Sequence, residues 1–146
     1  MSQMTTYPSR SPSPREHHMI ILDQSCVPSV VLIVEDDVML RMHAVDMVGD
    51  AGYTPLEAPD AAEAVTILES RSDVALICTD IQMPGQMDGV GLAHAVHARW
   101  PAIKIIVVSG RLKQKNLDLP PHSRFLGKPL DAGEVIAEMR DMIDYA

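Results

Sequence analysis

Aromatic residues are nearly missing from this chain: one Trp, one Phe and three Tyr, 3% of 146 residues. Any core must therefore be aliphatic, built from Val, Ile, Leu, Ala and the ten Met. Cysteine is as scarce. Cys26 and Cys78 make no disulfide framework, and Cys78 lies inside an apolar run, where a buried reduced thiol is expected. Basic residues are outnumbered, 12 Lys and Arg against 20 Asp and Glu, for a net charge of -8 and a pI near 5.0. That balance opposes generic binding to nucleic acid, which relies on neutralising phosphates with cations. No apolar run approaches the roughly 20 residues that span a bilayer. Met19 to Leu22 is too short for the apolar segment of a secretory signal and follows a Pro/Ser stretch. The expectation is a soluble, cytoplasmic, single domain with no membrane or nucleic-acid role. With 47% hydrophobic and 22% charged residues the composition is globular. A domain of this length buries roughly 68–70% of its unfolded surface, enough for stability without staples.

Residues 1–28 differ in character from the rest. Pro8, Pro12, Pro14 and Pro28 stand among Ser and Thr without apolar periodicity, so this stretch reads as a flexible N-terminal tail. Met19 is an alternative start, and His17-His18 has too few companions for a metal site. From residue 29 to residue 146 short β-branched runs alternate with amphipathic segments. The runs are 30–34, 54–58, 74–79, 103–109 and 124–127, several of them apolar at consecutive positions, as in parallel strands covered on both faces. Helices are expected at 38–51, ending at Gly52; at 61–70, capped by Asp60; at 90–99; and at 132–144. The last should bury Val135, Ile136, Met139, Met142 and Ile143, and the methionines of the first should also be core. Repeated β-α units imply a doubly wound five-stranded parallel sheet with helices on both faces. Pro55 cannot donate to a ladder, so the second strand belongs at an edge. The flavodoxin-like order 2-1-3-4-5 satisfies this and puts ligand chemistry at the carboxyl ends of strands one and three.

Those ends carry the polar residues. Strand one closes on Glu35-Asp36-Asp37, strand three on Asp80, strand four on Ser109, and Lys128-Pro129 follows strand five. Taken singly, each has an ordinary explanation: a turn residue, a helix cap, a turn start, a solvated lysine. Together they converge on the rim where the topology expects a site. Clustered carboxylates repel and invite a cation. All-oxygen ligands suit Mg²⁺, which needs one or two carboxylates plus phosphate oxygens. A lysine and a hydroxyl beside them can hold a phosphoryl group, and a carboxylate can be its acceptor. His94 and His97, one helical turn apart, lack a carboxylate or thiol companion and read as solvated positions.

In order and spacing, the runs ending in Glu35-Asp36-Asp37, Asp80-Ile-Gln-Met-Pro84, Met87-Asp88-Gly89, Ser109-Gly110 and Phe125-Leu-Gly-Lys128-Pro129 resemble the receiver domains of two-component response regulators. The resemblance implies Asp80 as phosphoacceptor, and Asp36 as direct Mg²⁺ ligand with Glu35 acting through water. The backbone carbonyl of Gln82 joins the ligands. Ser109 takes the place of the switch hydroxyl, Phe125 of the switch aromatic and Lys128 of the phosphate-binding lysine, with a cis Lys128-Pro129 bond. It further implies a histidine kinase or histidine phosphotransfer protein as donor, a downstream protein target, and room for a phosphorylation-dependent homodimer. Chemistry would be limited to Mg²⁺-dependent self-phosphorylation and autodephosphorylation.

Two departures stand out. Gly85 and Gln86 occupy a loop position where the commoner pattern has one residue. The crossover from Gly110 to Ser123 is short and ends in Pro120-Pro121, leaving 111–118 for a short, irregular fourth helix anchored only by Leu112 and Leu117. With no output domain after the last helix, a stand-alone regulator is expected. Of two competing readings, an aspartyl phosphatase would need an acid where Gln82 stands, and a cap. A phosphorylation-independent interaction module would be expected to lack a site residue, and none is missing.

Overall fold

Five consecutive buried residues form β1 (Val30–Val34), the signature of a strand covered on both faces. Val30, Leu32 and Val34 face one layer, Val31 and Ile33 the other. In the computed structural model, which describes residues 27–110 and 117–144, β1 is followed by α1 (Val38–Asp50), β2 (Thr54–Ala58), α2 (Ala61–Ser70), β3 (Val74–Asp80) and α3 (Gly89–Arg99). Then come β4 (Lys104–Ser109), β5 (Arg124–Gly127) and α4 (Ala132–Ile143). All strand pairs are parallel, in the order β2-β1-β3-β4-β5. β2 lies at the edge, as Pro55 requires.

Each described helix starts on an aspartate whose carboxylate accepts a backbone N–H three residues on. The pairs are Asp37 with Leu40, Asp60 with Glu63, Asp88 with Gly91 and Asp131 with Glu134. Four of the chain's acids are therefore caps, each worth about 1 kcal/mol. On one face of the sheet α2 and α3 bury Ala61, Ala64, Leu68, Leu92, Ala93 and Val96 against Leu32, Ile77 and Val107. On the other, α1 and α4 bury Ala44, Val48, Val135, Met139 and Met142 against Val31, Leu76 and Ile106.

Three expectations need correction. The methionines of α1 are not uniformly core: Met47 is buried, but Met39 and Met42 are 73% and 55% exposed. Val38 and Leu40 are exposed beside them. In α4, Val135, Met139 and Met142 are buried, whereas Ile136 and Ile143 are only half-buried. A helix over 111–118 is not borne out at its end, since Leu117 and Asp118 are non-helical. Instead Leu117 and Leu119 pack against the α2/α3 core, and Ser123 N–H donates to the Pro120 carbonyl at 3.2 Å in a turn. Residues 111–116, with Arg111, Lys113 and Lys115, lie outside the described residues, as does nearly all of the expected tail at 1–28.

Candidate functional site

The carboxyl ends of β1, β3, β4 and β5 form one rim. Parallel register brings Asp80 beside Val108 and Ser109 beside Gly127, so residues remote in sequence arrive together. Glu35, Asp80 and Ser109 are buried polar residues, while Asp36 is exposed. One oxygen from each of Glu35, Asp36 and Asp80 lies within 4.8 Å of the others. The Lys128 ammonium donates to Glu35 Oε1 at 2.8 Å and to Asp80 Oδ2 at 2.9 Å. At the strand end the Lys128 N–H donates to the Ser109 carbonyl at 2.9 Å. The Lys128-Pro129 bond is cis, as expected.

Charge and burial oppose each other here. Burial pushes the Glu35 carboxyl above its ordinary range, against the pull of Lys128 and of the Asp37 N–H. Burial would lower the Lys128 ammonium, but its bonds to Glu35 and Asp80 prevail and raise it. Three carboxylates gather here, and Lys128 pairs with two of them, Glu35 and Asp80. An all-oxygen set that is net negative and open on the Asp36 side suits a hard divalent ion such as Mg²⁺. Gln82 is exposed at the start of the loop beyond Asp80. Cys78, buried beneath the rim, has its thiol pushed up to about 12 by burial and the nearby acids, which makes it unreactive.

Behind Lys128 lies a cavity of about 330 Å³ between α1 and the chain after β5, with Leu40, Ala44, Val108 and Leu130 among its lining residues. Phe125, at 37% exposure, faces outward on β5.

The sequence matches the response regulator receiver domain family over residues 31–140. The chain belongs to that family. It is 32% identical over 120 residues to the sensor kinase CckA of Brucella abortus, covering 80% of this chain and 13% of CckA. It is 27% identical over 117 residues to the uncharacterized transcriptional regulatory protein YbdJ of Bacillus subtilis, covering 79% of this chain and 51% of YbdJ. The receiver thus spans about half or less of these relatives. Among solved structures, the signal receiver domain of an HD domain-containing protein from Pseudomonas fluorescens superposes with a TM-score of 0.73 at 25% identity, over 81% of this chain and 96% of that one. TrrA of Thermotoga maritima, solved in complex with Mg(2+)-BeF, shares the fold with a TM-score of 0.72 at 20% identity, over 78% of this chain and 98% of that one. No helix of the described residues is long and apolar enough to cross a membrane.

Glu35, Asp36, Asp80, Ser109 and Lys128, expected at the strand ends, do meet at one rim, and the roles of the residues that support them are visible only in the structure. Gly89 is one such residue. Its N–H donates to the Ile81 carbonyl at 2.8 Å, and a Cβ there would lie 2.0 Å from the Asp80 carbonyl oxygen. Only glycine lets α3 start so close to Asp80. Arg41 is another: it reaches from α1 to the Glu35 carbonyl. Its signal was a cation in the early turns of a helix that follows three acids. His94 is exposed, as expected, and its Nε2 donates to the Asp118 carbonyl at 2.6 Å.

Proposed function

We propose that this receiver takes a phosphoryl group from a phosphohistidine of a kinase or phosphotransfer protein onto Asp80 and later loses it to water. The observation that carries the reading is the Lys128 ammonium held between Asp80 and Glu35, with Asp36 close by. An Asp80 carboxylate oxygen attacks phosphorus as the P–N bond breaks, and the imidazole departs with the bonding pair. Lys128 then turns from carboxylate to phosphoryl oxygens, and the Ser109 hydroxyl donates to another. Glu35, Asp36, Asp80 and the Gln82 carbonyl would hold Mg²⁺, which supplies positive charge against the incoming phosphate. Hydrolysis of the acyl phosphate returns Asp80 and inorganic phosphate.

Output is protein binding. Movement of Ser109 toward the phosphoryl group draws the β4–β5 edge with it, and Phe125 changes its exposure. The donor's landing surface is α1, where Val38, Met39, Leu40 and Met42 leave an apolar patch beside the acidic rim. Such a patch suits an amphipathic helix carrying the phosphohistidine.

Incubation with acetyl phosphate and Mg²⁺, read by intact mass, tests the reading. One acid-labile phosphoryl group is expected on wild type and none on Asp80→Asn or in EDTA. Labelling that survives either change contradicts the reading; no labelling at all favours a phosphorylation-independent interaction module.

A further inference from the structure

Arg41 occupies a place a cation normally avoids. It is the fourth residue of α1, near the end where helix dipoles concentrate positive charge, and the first turn contains no acid to offset it. Its side chain is nevertheless drawn in, only 16% exposed. Long helical side chains lean toward the N-terminus, which carries this one back over the acidic triplet. Nη1 donates to the Glu35 carbonyl at 2.8 Å, and Nε donates to Glu57 Oε1 on β2 at 2.9 Å.

The Glu35 backbone is thereby held on both sides. Its N–H donates to the Ala58 carbonyl on β2 at 3.1 Å, and its carbonyl belongs to the guanidinium. That carbonyl shares one planar peptide unit with the N–H of Asp36. Turning the unit would redirect Asp36 and break the arginine bond. Asp37 closes the arrangement, with its N–H on Glu35 Oε2 at 3.1 Å and its carboxylate on Leu40 N–H at 3.0 Å. The half-exposed Glu57 contributes little energy of its own. It acts as the second point that fixes the plane of the guanidinium.

We propose that Arg41 is a positioning residue for the metal-ligand pair Glu35 and Asp36, pinning the peptide between them so that both carboxylates are set before a divalent ion arrives. The proposal rests on the Mg²⁺ reading of the rim given above. It makes a prediction opposite in sign to simple electrostatics. Removing a cation near a negative site should tighten Mg²⁺ binding by Coulomb's law; removing a positioning group should weaken it. Arg41→Lys separates the two further, because lysine keeps the charge but lacks the rigid fork that reaches two acceptors at once.

The test is Mg²⁺ titration by calorimetry at fixed ionic strength on wild type, Arg41→Met and Arg41→Lys, with circular dichroism to verify folding. Both variants should bind Mg²⁺ about tenfold more weakly, the low end of the loss when an outer partner of a metal ligand is removed. Binding by Arg41→Met equal to or tighter than wild type overturns the proposal, as does wild-type affinity in Arg41→Lys. Should Arg41→Met fail to fold, Arg41→Lys alone decides. A wild type that binds no Mg²⁺ overturns the metal reading and this proposal together; a wild type that binds while the variants bind equally well overturns the proposal alone.

Discussion

On the β1 side of the rim the backbone itself is tied from several directions, whereas β5 is held beyond its strand ladder through side chains, with Arg124 pairing with Glu138 and Asp141 of α4 and Lys128 with Glu35 and Asp80. Glu35 has its N–H on β2, its carbonyl on Arg41 and its carboxylate on Lys128 and the Asp37 N–H. β5 is only four residues long, with Leu126 buried and Phe125 facing out. It is entered through a turn in which His122 has φ 67, a left-handed value for a residue with a side chain. The difference teaches a division of labour. Groups that receive an ion gain from being fixed in advance, because less order is lost on binding. Groups that report phosphorylation would need two arrangements of similar free energy, which a four-residue strand held to α4 by half-exposed ion pairs can provide.

The contrast can be broken most forcefully at the seam between its halves. Gly89→Ala should destabilise the protein by about 3 kcal/mol, because its Cβ meets the Asp80 carbonyl and Ile81 Cα rather than a flexible side chain. Urea denaturation measures this, and a loss below 1 kcal/mol, at the floor of what overpacking typically costs, would mean that α3 yields easily. Lys128→Met comes next, at about 1–3 kcal/mol at pH 7, below the roughly 3–5 kcal/mol for breaking a fully buried pair. The sign with pH follows from the raised lysine. Its contribution is whole below the ordinary value of 10.5 and fades as pH climbs through the elevated folded value. Wild type should lose stability over that alkaline window, and Lys128→Met should lack that loss.

Smaller effects sharpen the comparison. The double variant Met39→Gln, Met42→Gln should stay within about 0.5 kcal/mol of wild type in thermal unfolding, since both side chains are exposed. Phosphotransfer from a phosphorylated histidine donor should nevertheless slow. An unchanged transfer rate removes α1 from the landing surface. Smallest of all, His122→Gly should stabilise by about 0.5 kcal/mol, as relief of the left-handed backbone outweighs the added freedom of the unfolded chain. A destabilisation in a melting experiment would show that the imidazole makes a contact worth more than the strain.

The β-α alternation, the edge position of β2 and the rim residues were legible in sequence because each depends on local pattern. Continuous apolar runs mark two-sided strands, Pro55 marks an edge, and polar residues at successive strand ends mark a rim. The α1 surface was not legible. Met39, Met42 and Met47 share one helix, and only the packed partners show that Met47 alone is covered. The roles of Arg41 and Gly89 were not legible for a related reason. Gly89 stood in a recognisable motif and Arg41 followed three acids, but what each does is a bond or close approach to backbone atoms, which side-chain chemistry does not announce. The end of the β4–β5 crossover misled because Pro120-Pro121 left 111–118 open to a helix, while Leu117 is non-helical and packs with Leu119 on the α2/α3 core.

The division of the rim is tested most directly by amide NMR shifts in three states: metal-free, with Mg²⁺, and with Mg²⁺ plus acetyl phosphate. Mg²⁺ alone should move Glu35, Asp36, Asp37 and the residues after Asp80, leaving Ser109 and Phe125 near their starting positions. Phosphorylation should then move Ser109, Phe125 and Lys128, with little further change at Asp36 and Asp37. Shifts that reach Phe125 on Mg²⁺ alone, or phosphorylation that leaves Ser109 and Phe125 unmoved, would contradict the account.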